Sequence, residues 1–247
     1  MIIKVNKLSK SYGTIKALKD VTFQLNSGEI TVLIGANGAG KTTTIKCLTK
    51  LAKFDGGNIY IDQIEISEIK KENYKISYIP DAPVYFEQLT VLENLQFICS
   101  AYKKDYSEIN SIEEELDLHE YLSLLPDKLS KGNKQKLMIA GALLKDFDIL
   151  IADEPFNGLD PIQVKKLKKI LIKQKEIGKI VLISTHLLDL AQTFCDKYVI
   201  LNKGKVLLEA SKERLFECVD FSNEQDYTIE NVYLKLLSKD YLEDDYK

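Results

Sequence analysis

At 247 residues and 45% hydrophobic content, the chain is long enough to bury a substantial core, as one large domain or two small ones, and needs no crosslinks to fold. A formal net charge of −3, with lysines interleaved among acids, leaves no basic stripe of the kind that follows a nucleic-acid backbone, so no nucleic-acid partner is expected. Cys47, Cys99, Cys195 and Cys218 lack Cys-x-x-Cys spacing, which argues against a zinc site or disulfide framework and for four buried thiols in a reducing cytosol.

The start Met1-Ile2-Ile3-Lys4-Val5-Asn6 carries no signal-peptide pattern. No apolar run approaches the roughly 20 residues of a membrane helix, so membrane association is expected to come through a partner. Short alternating stretches at 2–5 and 21–25, followed by stretches at 29–34 and 57–61, read as strands arranged partly antiparallel, with turns at Ser27-Gly28 and Asp55-Gly56-Gly57. Strands at 76–79, 149–152, 180–184 and 198–201 alternate with amphipathic helices, which argues for a mostly parallel sheet. Between Pro80 and Ser130 the strand pattern disappears and helical patterns at 91–102 and 112–122 take over, reading as a helical insertion. Past Ser211 the chain turns acidic and loop-like at 219–227, carries a helical segment near 230–237, and ends in charged residues expected to fray.

The chemistry is concentrated at two strand ends. The apolar run at 30–34 leads into Gly35-Ala36-Asn37-Gly38-Ala39-Gly40-Lys41-Thr42, followed by Thr43, and fits the phosphate-loop pattern G-x-x-x-x-G-K-[ST] at every fixed position. Gly38 and Gly40 let the backbone curl so that successive N–H groups face one anion. Lys41 adds a point charge for β- and γ-phosphates, Thr42 offers a hydroxyl to Mg²⁺, and the following helix presents its positive dipole end. Downstream, the strand at 149–152 ends in adjacent carboxylates. Asp153 is suited to hold Mg²⁺ through its water, and Glu154, one position on, to orient and deprotonate an attacking water. Together the two halves imply hydrolysis of ATP with Mg²⁺.

With both halves placed, residues 1 to about 215 resemble the ATP-binding subunit of ABC transporters. The resemblance implies an α/β fold: a P-loop NTPase (RecA-like) core with an antiparallel β subdomain, a helical subdomain inserted at about 81–130, and a short C-terminal extension at 216–247. Leu129-Ser130-Lys131-Gly132-Asn133 resembles the family's signature, often L-S-G-G-Q, although only Leu129, Ser130 and Gly132 fit that form. The family implies that this helix start binds the γ-phosphate held by a second ATP-binding subunit, identical or different, in a head-to-tail dimer. Read alone, Ser130 is an ordinary helix N-cap.

Other roles also follow from the resemblance. His186, after the strand at 180–184, matches the switch histidine that contacts the γ-phosphate. Asp160 in Asn157-Gly158-Leu159-Asp160 matches the D-loop contact to the partner subunit, and reads by itself as a capped turn before Pro161. Tyr12 matches the aromatic that stacks on adenine. Asp81 stands where the family usually places a glutamine that touches Mg²⁺, so a metal role is expected there with a shorter, charged side chain. His119 gains no such support and is expected to be a surface or packing residue.

The leading expectation is therefore an ATP-driven transport motor on the cytoplasmic face of the membrane, docked on a separate permease and similar to the ABC-2-type export branch. A soluble ATPase acting on ribosomes or chromosomes is a second reading. It is disfavoured by the single cassette and by a Lys41-to-Asp153 spacing too short for long coiled coils. A low-turnover regulatory subunit is a third, suggested by Asp81, Lys131 and Asn133 and opposed by the intact Lys41, Asp153, Glu154 and His186.

Overall fold

A computed structural model describes residues 1–218 and 227–244. The acidic stretch at 219–226 and the charged end at 245–247 lie outside the described residues. The expected strand at 29–34 is β3 (Ile30–Ile34), preceded by two long strands, β1 (Ile2–Tyr12) and β2 (Ile15–Asn26). β1 pairs antiparallel with β2 and with β4 (Gly56–Ile61), and the two-residue β5 (Ile64–Glu65) completes a four-stranded sheet in the order β2-β1-β4-β5.

The second sheet carries the site. It has six strands in the order β10-β9-β3-β8-β7-β6, comprising β6 (Ile76–Ile79), β7 (Ile149–Asp153), β8 (Ile180–Ser184), β9 (Lys197–Asn202) and β10 (Lys205–Ser211) with β3. All neighbours run parallel except the β9–β10 hairpin. Its second strand, β10, lies beyond the expected strand at 198–201 and is defined by pairing with β9 across the turn Asn202-Lys203-Gly204.

Among the described residues the α-helices are α1 (Lys41–Leu48), α2 (Val91–Tyr102), α3 (Ser107–Glu115), α4 (Lys131–Leu143), α5 (Pro161–Glu176), α6 (Leu188–Phe194) and, after the last strand, α7 (Ile229–Asp244). α2 starts at a reciprocal capping box between Thr90 and Glu93, which satisfies two backbone donors that a helix start leaves open. α3 begins five residues before the expected helix at 112–122 and stops at Leu116, with a separate turn at His119–Tyr121. His119 is exposed and lies 3.4 Å from Glu113.

Successive strand residues face opposite sides, and the parallel sheet is apolar on both. Ile30, Val32, Leu150 and Val181 pack into one cluster with apolar residues of α2, α4, α5, α6 and α7. Leu33, Ile149, Ile151 and Leu182 pack into another with Ile45 and Leu48 of α1 and the inner face of the antiparallel sheet. The C-terminal helix α7 contributes Ile229 and Val232 to the first cluster. Cys47, Cys99 and Cys195 are buried, and burial pushes the Cys47 thiol up to about 11. Cys218 corrects the expectation of four buried thiols: it is exposed, on a segment that leaves the core after Leu215.

Leu150, at the centre of β7, is fully buried. Leu150→Ala is expected to destabilise the fold by about 2–5 kcal/mol, through lost transfer energy and the cavity left behind. Equilibrium denaturation should show a lower midpoint with an unchanged slope.

Candidate active site

Strands β3, β8 and β7 end side by side, and the three loops that leave them form the site at the carboxyl edge of the parallel sheet, where open α/β sheets bind ligands. The loop after β3 turns through Gly38 and Gly40, whose φ values of 81° and 110° disfavour any side chain. Gly35 is required for a different reason: a Cβ there would lie 2.6 Å from the Leu201 carbonyl oxygen and 2.8 Å from Ala39, which is itself buried. Lys41 is buried, and its Nζ donates to the Gly35 carbonyl at 2.7 Å and lies 3.4 Å from that of Ala36. The ammonium is thus held under the loop.

Above the loop opens a cleft of about 480 Å³. Ala36, Asn37, Gly38, Gly40, Lys41, Thr42 and Thr43 form one wall, and Asp81, Asp153 and Glu154 line it from the strands beyond. Ile15, Lys16, Lys19 and Lys203 close the other side. This lining brings four lysines and three acids to the phosphate loop, which suits a polyphosphate bound with a cation.

Asp153 is 1% exposed, and its two oxygens differ. Oδ1 accepts a short hydrogen bond from the Ser184 hydroxyl, whereas Oδ2 is buried without a partner. A buried, unpartnered carboxylate oxygen is costly, so its presence at the cleft fits a cation ligand. The described residues hold no group of three or more His, Cys, Asp or Glu side chains able to bind a metal by themselves. A cation here would therefore need ligands from the bound substrate and Thr42 as well. Burial, reinforced by the charges of Asp153 and Asp81, pushes the neighbouring Tyr78 phenol above its ordinary range, so it stays neutral.

Glu154 stands at the centre. One carboxylate oxygen lies 3.8 Å from Lys41 Nζ, and the other 2.9 Å from His186 Nδ1. A carboxylate only accepts, so the His186 proton on that side sits on Nδ1 and Nε2 is left for another partner. Glu154 adopts a left-handed backbone, φ 48°, which costs a non-glycine residue about 1–2 kcal/mol. Its N–H is held at 3.1 Å by the Ser184 carbonyl and at 3.0 Å by the Ser184 hydroxyl. Ser184 thus orients both acids. The sequence reading took it only as the end of a strand; the available signal was one hydroxyl closing an otherwise apolar run.

Asp81 accepts a hydrogen bond from Asn157 Nδ2 at 3.1 Å, which ties the entry of the helical insertion to the loop after Glu154. Tyr12 is 48% exposed at the end of β1 and does not itself line the cleft; Ile15 does. Ser130, Lys131, Gly132, Asn133 and Asp160 form a second group away from the cleft lining. Ser130 caps α4, accepting from the Asn133 N–H at 3.2 Å, and Asp160 caps α5, accepting from the N–H groups of Ile162 and Gln163 at 2.8 and 2.9 Å. Gly132 packs so tightly on the D-loop segment that a Cβ would lie 2.7 Å from the Gly158 carbonyl oxygen. From inside α4, Gln135 donates to the Pro155 carbonyl at 3.1 Å, joining this helix to the turn that carries Glu154.

The family pattern described as "ABC transporter" matches residues 18–157, more than half of the chain. The chain belongs to the ABC transporter ATP-binding family. It is similar to the ABC-type transporter ATP-binding protein EcsA of Bacillus subtilis (strain 168), with 35% identity over 97% of this chain and 98% of that protein. The SkfA peptide export ATP-binding protein SkfE of the same organism is 36% identical over 83% and 87%. Among solved structures, an ATP-binding subunit of an ABC transporter superposes with a TM-score of 0.86 at 35% identity, covering 96% of this chain and all of that one. The dimeric post-hydrolysis structure of the cassette MJ0796 bound to ADP and Pi gives 0.75 at 26% identity, over 85% and 98%. The cassette is thus an ATP-binding, ATP-hydrolysing subunit on a P-loop NTPase fold.

Ser184→Ala leaves the Glu154 amide and Asp153 Oδ1 without their shared hydroxyl. Partners that orient a ligating group typically contribute 10–100-fold. The variant is expected to keep ATP binding and to lose about that much in turnover, measured as phosphate release against ATP affinity.

Proposed function

We propose that this cassette is the motor of an export transporter, working as a pair of ATP-binding subunits beneath a membrane permease. The observation that carries the catalytic part is Glu154, held between Lys41 and His186 and lining the cleft over the loop 35–43. In this reading the loop 35–43 cradles the phosphates, with Lys41 on the β- and γ-groups. Glu154 accepts a proton from the attacking water, and His186 supports the γ-phosphate through its free ring nitrogen. Ile15 and Tyr12 cover the adenine side. Thr42 and the unpartnered oxygen of Asp153 would hold Mg²⁺, with Asp81 beside them. When bound, that ion offsets negative charge on the phosphates as the terminal bond breaks.

The separation of the two residue groups supports pairing. Ser130, Lys131, Gly132, Asn133 and Asp160 lie off this chain's own cleft, so they serve a cleft only if a second cassette presents it. The dimeric MJ0796 structure supports that arrangement. No described helix is long and apolar enough to cross a membrane. Next to Asp81, Val84, Phe86 and Phe97 form an exposed apolar patch. It is held in shape by an edge-to-face ring pair at 4.6 Å and by Asn94, which bonds the Phe86 N–H and carbonyl. A preformed apolar patch of this kind marks a docking surface, here proposed for the permease, which would place the cassette peripherally on the cytoplasmic face of the membrane. Export is supported by the similarity to SkfE.

Glu154→Gln is expected to bind ATP while turning over about 10²–10⁴-fold more slowly, the usual contribution of a positioned base. Undiminished phosphate release would refute the assignment. Affinity capture of the tagged chain from gently solubilised membranes, followed by mass spectrometry, should return a multi-span membrane protein. Recovery of ribosomes or chromatin instead would overturn the transport reading.

A further inference from the structure

Helix α7 lies nearly two hundred residues after the phosphate loop, outside the motifs that make up the site, yet it reaches the loop. Tyr233 is partly buried against the core, and its hydroxyl oxygen accepts the Ala36 N–H at 3.0 Å. That N–H belongs to the same peptide unit as the Gly35 carbonyl, which accepts Lys41 Nζ at 2.7 Å. One peptide plane is therefore held at both ends, by the C-terminal helix on its donor side and by the phosphate-binding lysine on its acceptor side. A peptide that donates at one end becomes a better acceptor at the other. The plane cannot turn without giving up one of the two bonds. Glycine at position 35, with no side chain of its own, leaves that orientation to these partners.

The helix is itself anchored beside the switch histidine. Gln192 of α6, the helix that follows His186, accepts the Ile229 N–H at 3.3 Å, and Ile229 and Val232 are fully buried. Tyr233 thus projects from a seated helix, which makes its hydroxyl a fixed point for the loop.

We infer that Tyr233 is a positioning residue for ATP binding: by fixing the Gly35–Ala36 peptide it sets the resting place of the Lys41 ammonium, so that the C-terminal helix is a working part of the nucleotide site. This rests on the reading of the loop 35–43 as the phosphate cradle. The hydroxyl acts through the peptide and the lysine and touches no reacting atom.

The test is Tyr233→Phe in the full chain, which keeps the ring and its packing and removes only the acceptor. Loss of one neutral hydrogen bond corresponds to about a two- to tenfold effect. The expected result is a KM for ATP, and a Kd for a non-hydrolysable ATP analogue, raised by about that factor. The melting temperature and kcat should stay near native, and the Ala36 amide should exchange faster with solvent. Unchanged KM and Kd in Tyr233→Phe would overturn the proposal, and so would a lowered melting temperature with kcat reduced and KM unchanged, which marks a purely structural contact. If the native chain itself failed to bind the analogue, the phosphate-cradle reading would fall and this inference with it.

Discussion

The site depends on one partly buried carboxylate placed between two nitrogen groups. A charge taken out of water is tolerated only when paired and hydrogen-bonded, and Glu154 meets that condition through Lys41 on one oxygen and His186 on the other. Each partner comes from a different strand end, so the pairing requires β3, β8 and β7 to lie next to one another in the same direction. The strand order satisfies this by placing β8 between the other two. The left-handed backbone at Glu154 is held by the same neighbour, since Ser184 of β8 binds its amide twice.

From that centre the connections run outward through short, specific contacts. Gln135 ties the signature helix to the Pro155 carbonyl, Asn157 ties the loop beyond it to Asp81, and Gly132 lies against Gly158 at a distance that excludes any side chain. The turn after β7 therefore touches the entry of the helical insertion, the signature helix and the switch segment at once. Packed elements shift as units and resist gradual deformation, so a displacement at any one of these three contacts is passed to the other two.

Much of this was legible along the chain. The phosphate loop, the two acids after an apolar strand and the histidine after another are local patterns: each needs only a strand, a turn and the following residues. Strands at 76–79 and 180–184 and the helix at 91–102 appear with the expected bounds, because the strands are short, largely apolar runs and the helix is an amphipathic repeat opened by the Thr90–Glu93 capping box. β1 and β2 run several residues beyond their expected ends, since their register shifts break the alternation that marks a strand. The hairpin strand β10 and the exposure of Cys218 were not legible, because pairing partners and burial are set by residues distant in sequence.

The sequence by itself determined where the candidate groups lie, those suited to cradle phosphate, ligate a cation or accept a proton, because spacing around a strand end is a short-range property of the backbone. Only the tertiary structure decided which of them act together. Ser184 serves both acids, Gln135 reaches the Pro155 carbonyl, and Tyr233 reaches the phosphate loop from the far end of the chain. Hydrogen bonds of this kind depend on how the sheet orders its strands and where the helices come to rest on it, and that order is fixed by burial of two apolar faces rather than by any local motif.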